Sequence, residues 1–108
     1  MSDAQRPHVV VVGAGLAGLT VALHLADSAD VTVLAKRGLD EAATAWAQGG
    51  IVGVLGADDS VEAHVRDTQD AGAGIVDEHT ARFIAEHSAQ AVAWLVERGV
   101  PFSADPDG

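Results

Sequence analysis

His8-Val9-Val10-Val11-Val12-Gly13-Ala14-Gly15-Leu16-Ala17-Gly18 is the stretch on which the fold of this chain turns. Val9 to Val12 form an unbroken β-branched run. Without alternation, such a run predicts a strand over 8–12 buried on both faces, as in a parallel sheet. The run stops at Gly13, and glycines then recur in the spacing G-x-G-x-x-G. Alone that pattern is weak; a preceding strand and a following helix give it meaning. Gly13 permits the tight turn out of the strand. Gly15 leaves the backbone bare where a pyrophosphate would approach. Gly18 lets the helix pack close to the strand. With Ala14, Leu16 and Ala17 these glycines make up a candidate dinucleotide site. Its phosphates would meet the N–H groups and positive dipole end of the helix.

Working outward, residues 15–26 read as that helix, with Leu16, Leu19, Leu23 and Ala26 on one stripe. Residues 27–30 form a polar turn, and Val31-Thr32-Val33-Leu34-Ala35 is a second buried strand. Strand, short helix and strand within residues 8–35 predict a compact βαβ unit with a right-handed crossover. The fold class is α/β, of the Rossmann-like kind. Such sites usually carry an acid at the end of the second strand, where it accepts from ribose hydroxyls. This chain has Ala35-Lys36-Arg37 there. The basic pair fits a 2′-phosphate and hence NADP. Lys36 equally fits the adenosine side of FAD, and a solvated surface pair is the third reading.

Met1 to Pro7 is polar and loose, and 36–47 shows no period and reads as a loop. Gln48-Gly49-Gly50 is a flexible point, and 51–55 a short extended piece. Asp59-Ser60-Val61-Glu62 has the form of a capping box, opening a helix to about Ala71. Ala71 to Gly74 ends it. Asp77 caps a further helix whose apolar residues are Phe83, Ile84, Ala91, Trp94 and Leu95. Gly99 suits the position just past its end, and Pro101 confirms the stop. Pro101 to Gly108 reads as the start of something that continues.

The 108 residues are 48% hydrophobic, but with only 2 Phe, 2 Trp and no Tyr. An alanine-rich core buries little surface, so these residues alone should be marginally stable and bind a cofactor poorly. A two-stranded parallel sheet also leaves edges that further strands should cover. The net charge of −10, from 6 basic and 16 acidic residues, argues against nucleic acid and anionic membranes as partners. With no cysteine, disulfides, thiolate nucleophiles and cysteine-ligated metals are excluded. No apolar run approaches the roughly 18 residues that span a bilayer. The default location is the cytoplasm. The five histidines, at 8, 24, 64, 79 and 87, form no metal-binding spacing, and Asp58-Asp59 reads as a helix start.

A second motif follows the second strand: Ala43-Thr44-Ala45-Trp46-Ala47-Gln48-Gly49-Gly50. Small side chains and bare backbone N–H groups suit a pyrophosphate and a flat ring lying close to the chain. Trp46 fits packing near such a ring and plain core packing equally. Gly13 to Gly18, Leu34-Ala35-Lys36, Ala43 to Gly50 and Asp70-Ala71-Gly72-Ala73-Gly74 together resemble the flavoprotein family of succinate dehydrogenase, fumarate reductase and L-aspartate oxidase. The resemblance covers essentially the whole chain after Pro7. In that family a Lys follows the second strand instead of an acid, as Lys36 does here, so the resemblance implies FAD rather than NADP.

The resemblance implies more. Residues 8–108 would be the first part of an FAD-binding domain of the glutathione-reductase type. Capping and C-terminal helical domains would lie outside this chain. Respiratory members carry a flavin-linking His directly before the loop Thr. Ala43 stands there, which implies a non-covalent flavin and the L-aspartate-oxidising branch. Trp46 to Ile51, Asp59 to His64, Asp67-Thr68 and Ala71 to Ile75 resemble that branch too. It would turn L-aspartate into iminoaspartate, with oxygen or fumarate as acceptor. This is the first step of NAD biosynthesis, and its product feeds quinolinate synthase. The Arg and His side chains that clamp the substrate would lie later, so no catalytic residue is expected among these 108. Rival readings are a soluble fumarate reductase or succinate dehydrogenase-type flavoprotein, an NADP-dependent reductase, and a non-catalytic nucleotide-binding module.

Overall fold

The computed structural model describes residues 5–38 and 50–103. The chain divides into two compact units, residues 1–49 and 50–108.

Among the described residues the first unit holds the expected βαβ: β1 (His8–Val12), α1 (Leu16–Leu25) and β2 (Asp30–Leu34). The strands are parallel, with His8 opposite Asp30 and Val12 opposite Leu34. Both ends of the register are tied. The Asp30 N–H donates to the Pro7 carbonyl (2.9 Å), and the Gly13 N–H to the Leu34 carbonyl (2.8 Å). β2 starts and ends one residue earlier than its apolar run suggests. Asp30 pairs with the strand instead of closing the turn.

Two expectations about burial need correction. The strands are not buried on both faces. Val9, Val11, Val31 and Val33 are half-buried, whereas Val10, Val12 and Leu34 are exposed, Val12 at 83%. One crossover helix can cover one face of a two-stranded sheet and no more. Nor does α1 dock through its leucine stripe. Leu16, Leu19, Leu23 and Ala26 are exposed, and Gly18, Ala22 and Leu25 are half-buried. Gly18 and Ala22 let the helix axis come close to the sheet, where leucines would hold it away.

The far end of α1 is closed by a side chain from before β1. Arg6 Nη2 donates to the carbonyls of Ala26 (2.6 Å) and Ala29 (3.1 Å), and Arg6 Nε lies 3.8 Å from Asp30 Oδ1. Ala29 itself is buried.

Among the described residues the second unit holds a pair of helices, α2 (Val61–Gly72) and α3 (Glu78–Glu97). Their contact is built on Val65, Ala81 and Ala85, with Val54, Val61 and Val76 packed around them. Ser60 caps α2, its Oγ accepting from the Ala63 N–H at 3.1 Å, while Asp59 Oδ1 accepts from the Ser60 N–H at 2.7 Å. The capping box read from Asp59 to Glu62 is therefore displaced by one residue. With Ser60 as cap, the third helical position is Ala63, and no reciprocal Glu closes the box. At the other end of α2, Ala73 adopts a left-handed conformation (φ 49°, ψ 41°), followed by Gly74 at φ 94°.

Asp77 caps α3 as expected, its Oδ1 accepting from the Thr80 N–H at 2.7 Å. Gly99, at φ 85°, donates to the Val96 carbonyl, and Val100 donates to the Leu95 carbonyl. These two bonds make a Schellman close, so the terminus read from Gly99 is correct. The packed face of α3 is a further correction. Phe83 and Ile84 are 57% and 58% exposed and Ala91 is exposed, whereas Ala81, Ala85 and Ser88 are buried. Val92 and Leu95 continue that face half-buried, at helical spacing. Arg82 bridges Glu62 of α2 (3.2 Å) and Glu78 (3.6 Å) on the outside, pairs that add little to stability.

No strand forms over 51–55. The segment is held instead by Ser88, whose Oγ accepts from the Val54 N–H (2.9 Å) and donates to the Ala85 carbonyl (2.7 Å). Gly53 sits against this hydroxyl. A Cβ built there would lie 3.2 Å from Ser88 Cβ.

Candidate functional site

The glycine motif joins β1 to α1. Gly13 has φ 115°, a conformation that side chains resist, and a Cβ added to it would meet nothing within 4 Å. Its backbone is thus both specialised and open on the side where a ligand would approach. Ala14 behind it is buried. Gly15 is the N-cap of α1, with extended backbone (φ −78°, ψ −178°), and its carbonyl accepts the first helical bond from the Leu19 N–H at 3.0 Å.

Gly18 is tightly constrained. A Cβ on it would collide with the Gly13 carbonyl oxygen and lie 3.5 Å from Val11 Cγ1. The third glycine therefore sets the distance between helix and strand, as the motif predicts.

The electrostatics of this end of α1 fit an anion. It has no side-chain cap and no acidic residue in its first turn. The Ala17 and Gly18 N–H groups have no acceptor within the helix. The two other described helices fill the same position with their own groups. Ser60 and Asp77 cap them, and Glu62 and Glu78 stand in their first turns. Hydrogen bonds from the Thr80 hydroxyl and N–H hold the Asp77 carboxyl below its ordinary value of 3.8. A pyrophosphate suits α1 because its two charges would complete what α2 and α3 supply for themselves.

Lys36 lies in the bend directly after β2, exposed, next to the exposed Arg37. The strand brings it to the same sheet end as Gly13, since Gly13 bonds to Leu34. Leu16 and Ala17 open the helix and are exposed. The second candidate motif fares differently. Ala43, Thr44, Ala45, Trp46, Ala47, Gln48 and Gly49 lie outside the described residues. Gly50 is described, is exposed, and begins the second unit.

Two of the histidines make hydrogen bonds with neighbouring groups. His8 Nε2 pairs with Thr32 Oγ1 across the strands (2.8 Å). His87 Nδ1 lies 2.7 Å from the Phe83 carbonyl, and its ring tilts against Phe83. Among the described residues no three His, Asp or Glu side chains gather as a metal site. None of the described helices is long and apolar enough to cross a membrane. Asp58-Asp59 is a helix start, with Asp59 holding the Ser60 N–H. The sequence reading missed Arg6 and Ser88. Both act through backbone carbonyls or amides distant in sequence, and no local pattern announces such bonds.

Comparison with known proteins agrees with this geometry. The chain is 57% identical over 97 residues to L-aspartate oxidase 1 of Ralstonia nicotianae, covering 90% of this chain and 18% of that protein. It is 51% identical over 108 residues to the L-aspartate oxidase of Vibrio cholerae (97% and 20%). It is 47% identical over 105 residues to that of Pseudomonas aeruginosa (97% and 20%). The chain thus spans about a fifth of the length of these relatives. A family model described as "FAD binding domain" matches residues 8–108, and with the uncapped glycine turn of α1 in place, the chain belongs to that FAD-binding family.

Proposed function

We propose that this chain is the opening part of the FAD-binding domain, of glutathione-reductase type, in an enzyme that oxidises L-aspartate to iminoaspartate. The observation that carries the reading is the 57% identity to a protein named L-aspartate oxidase, over nine-tenths of this chain. Gly13, Ala14, Gly15, Leu16, Ala17 and Gly18 take the pyrophosphate. Bare backbone at Gly13 and Gly15 admits it, and the N–H groups of Ala17 and Gly18 donate to it. Lys36 faces the adenosine side, a point charge that leaves no acid to repel phosphate. By resemblance, Ala43 to Gly50 would serve the isoalloxazine, with Ala43 offering no atom for a covalent link. When bound, FAD supplies the two-electron acceptor for the hydride leaving the substrate Cα. On this reading oxygen or fumarate would be the final electron acceptor. The reading carries a cytoplasmic location and a place at the start of NAD biosynthesis, ahead of quinolinate synthase.

The test uses the full-length protein. Its visible spectrum is recorded, the protein is precipitated with acid, and peroxide release is assayed with L-aspartate and with succinate. Flavin in the supernatant and peroxide from L-aspartate alone are expected. Flavin retained in the pellet, or turnover of succinate alone, would transfer the protein to the dehydrogenase branch. A colourless protein that binds NADPH would overturn the flavin reading and return Lys36 and Arg37 to a 2′-phosphate.

A further inference from the structure

We propose that Arg6 is a positioning residue for the pyrophosphate site, acting from the opposite end of α1. The inference rests on the reading that the N-terminus of α1 holds the cofactor's pyrophosphate.

None of the ten residues of α1 is buried, and its docking face is Gly18, Ala22 and Leu25. Side-chain burial therefore holds this helix weakly. Its orientation depends on what fixes its two ends. At the N-terminal end stand the Gly18–Gly13 contact and the Gly13–Leu34 hydrogen bond. At the C-terminal end stands Arg6. One guanidinium joins the last turn of the helix (Ala26 carbonyl, 2.6 Å), the turn before β2 (Ala29 carbonyl, 3.1 Å) and the first residue of β2 (Asp30 Oδ1, 3.8 Å). Its planar fork can serve several acceptors at once, and its charge faces the negative end of the helix dipole.

A helix of this length is about 15 Å long and behaves as a rod. Pinned at both ends, it has one axis direction. Pinned only at Gly13–Gly18, it rocks about that contact. The N–H groups of Ala17 and Gly18 rock with it, because they point along the axis. Hydrogen bonds weaken steeply with misalignment, so a ligand held by those groups senses the loss of Arg6 without touching it.

The experiment strips FAD from the full-length protein and measures binding of FAD, ADP and riboflavin. It is run where circular dichroism shows wild type, Arg6→Ala and Arg6→Lys equally folded. ADP carries the pyrophosphate and adenosine without the flavin, and riboflavin the reverse. Arg6→Ala should weaken FAD and ADP alike, by about tenfold, which converts to about 1.4 kcal/mol. Riboflavin affinity should not change. Arg6→Lys, which keeps the charge but loses the fork, should recover part of the loss and guards against an Arg6→Ala protein that does not fold. If Arg6→Ala lowers only the melting temperature, with FAD and ADP affinities as in wild type, Arg6 is structural and the proposal falls. A wild-type protein that binds riboflavin but not ADP would instead remove the pyrophosphate reading beneath it.

Discussion

Replacing Gly18 by Ala tests the spacing on which the dinucleotide site depends. The new methyl carbon would strike the Gly13 carbonyl oxygen, 3.0 Å from its carbon, with Val11 Cγ1 at 3.5 Å behind. The opposing atoms are backbone, and Gly13 is fixed by its bond to Leu34, so they cannot step aside. Overpacking of this kind costs typically 1–3 kcal/mol, and a rigid opponent argues for about 3. Alanine repays about 1 kcal/mol through helix propensity. The net expectation is a loss of about 2 kcal/mol, with α1 pushed off the sheet and FAD affinity reduced. Denaturant titration of the flavin-free full-length protein, with FAD binding under folding conditions, measures both. A Gly18→Ala protein at least as stable as wild type, with unchanged FAD affinity, would refute the reasoning. Propensity would then have outweighed the contact, and Gly18 would not set the helix-to-strand distance.

Ser88→Ala should leave the Val54 N–H without its acceptor, a loss of about 1–2 kcal/mol for a partly buried donor. The Val54 amide should then exchange with solvent about tenfold faster, while amides of β1 and β2 keep their rates. Asp77 supplies a pH signature. Its folded pKa lies below the ordinary 3.8, so its contribution is present above that value and is lost as pH falls through the folded pKa. Melting curves from about pH 6 down to about pH 3 should therefore decline more steeply for wild type than for Asp77→Asn, whose amide still accepts from Thr80 but does not titrate.

The βαβ order, the glycine turn, the Asp77 cap and the Gly99 stop were all legible in the sequence. Each rests on a local rule: a β-branched run, a positive φ, a side chain reaching three residues ahead. Burial was read less well. Leu16, Leu19 and Leu23 form the most apolar stripe of α1, yet the helix docks through Gly18 and Ala22. In α3, Ala81, Ala85 and Ser88 are inside while Phe83 and Ile84 are out. Hydrophobic periodicity weights large side chains, whereas close packing of helices selects small ones. The displaced cap at Ser60 shows the usual one-residue uncertainty when two good capping residues are adjacent. Arg6 and Ser88 could not be found because their bonds cross 20 and 34 residues, respectively. Around the candidate site, the geometry of the glycine turn could be read residue by residue. The segment from Ala43 to Gly49, outside the described residues, rests on its composition and on the resemblance.

The paired strands also bear on how the polypeptide acquires its shape. His8 and Asp30 stand opposite each other with one ten-residue helix between the strands. Parallel pairing is slow when closure must span a long stretch of chain, and here the span is close to the minimum a crossover permits. The entropy of closing it grows only with the logarithm of its length. The βαβ unit of residues 8–34 can therefore close as a local event, ahead of pairings that span longer stretches of chain. Val10 and Val12 stay exposed on the face that α1 leaves open, so any apolar layer packed there would add its burial after this local closure.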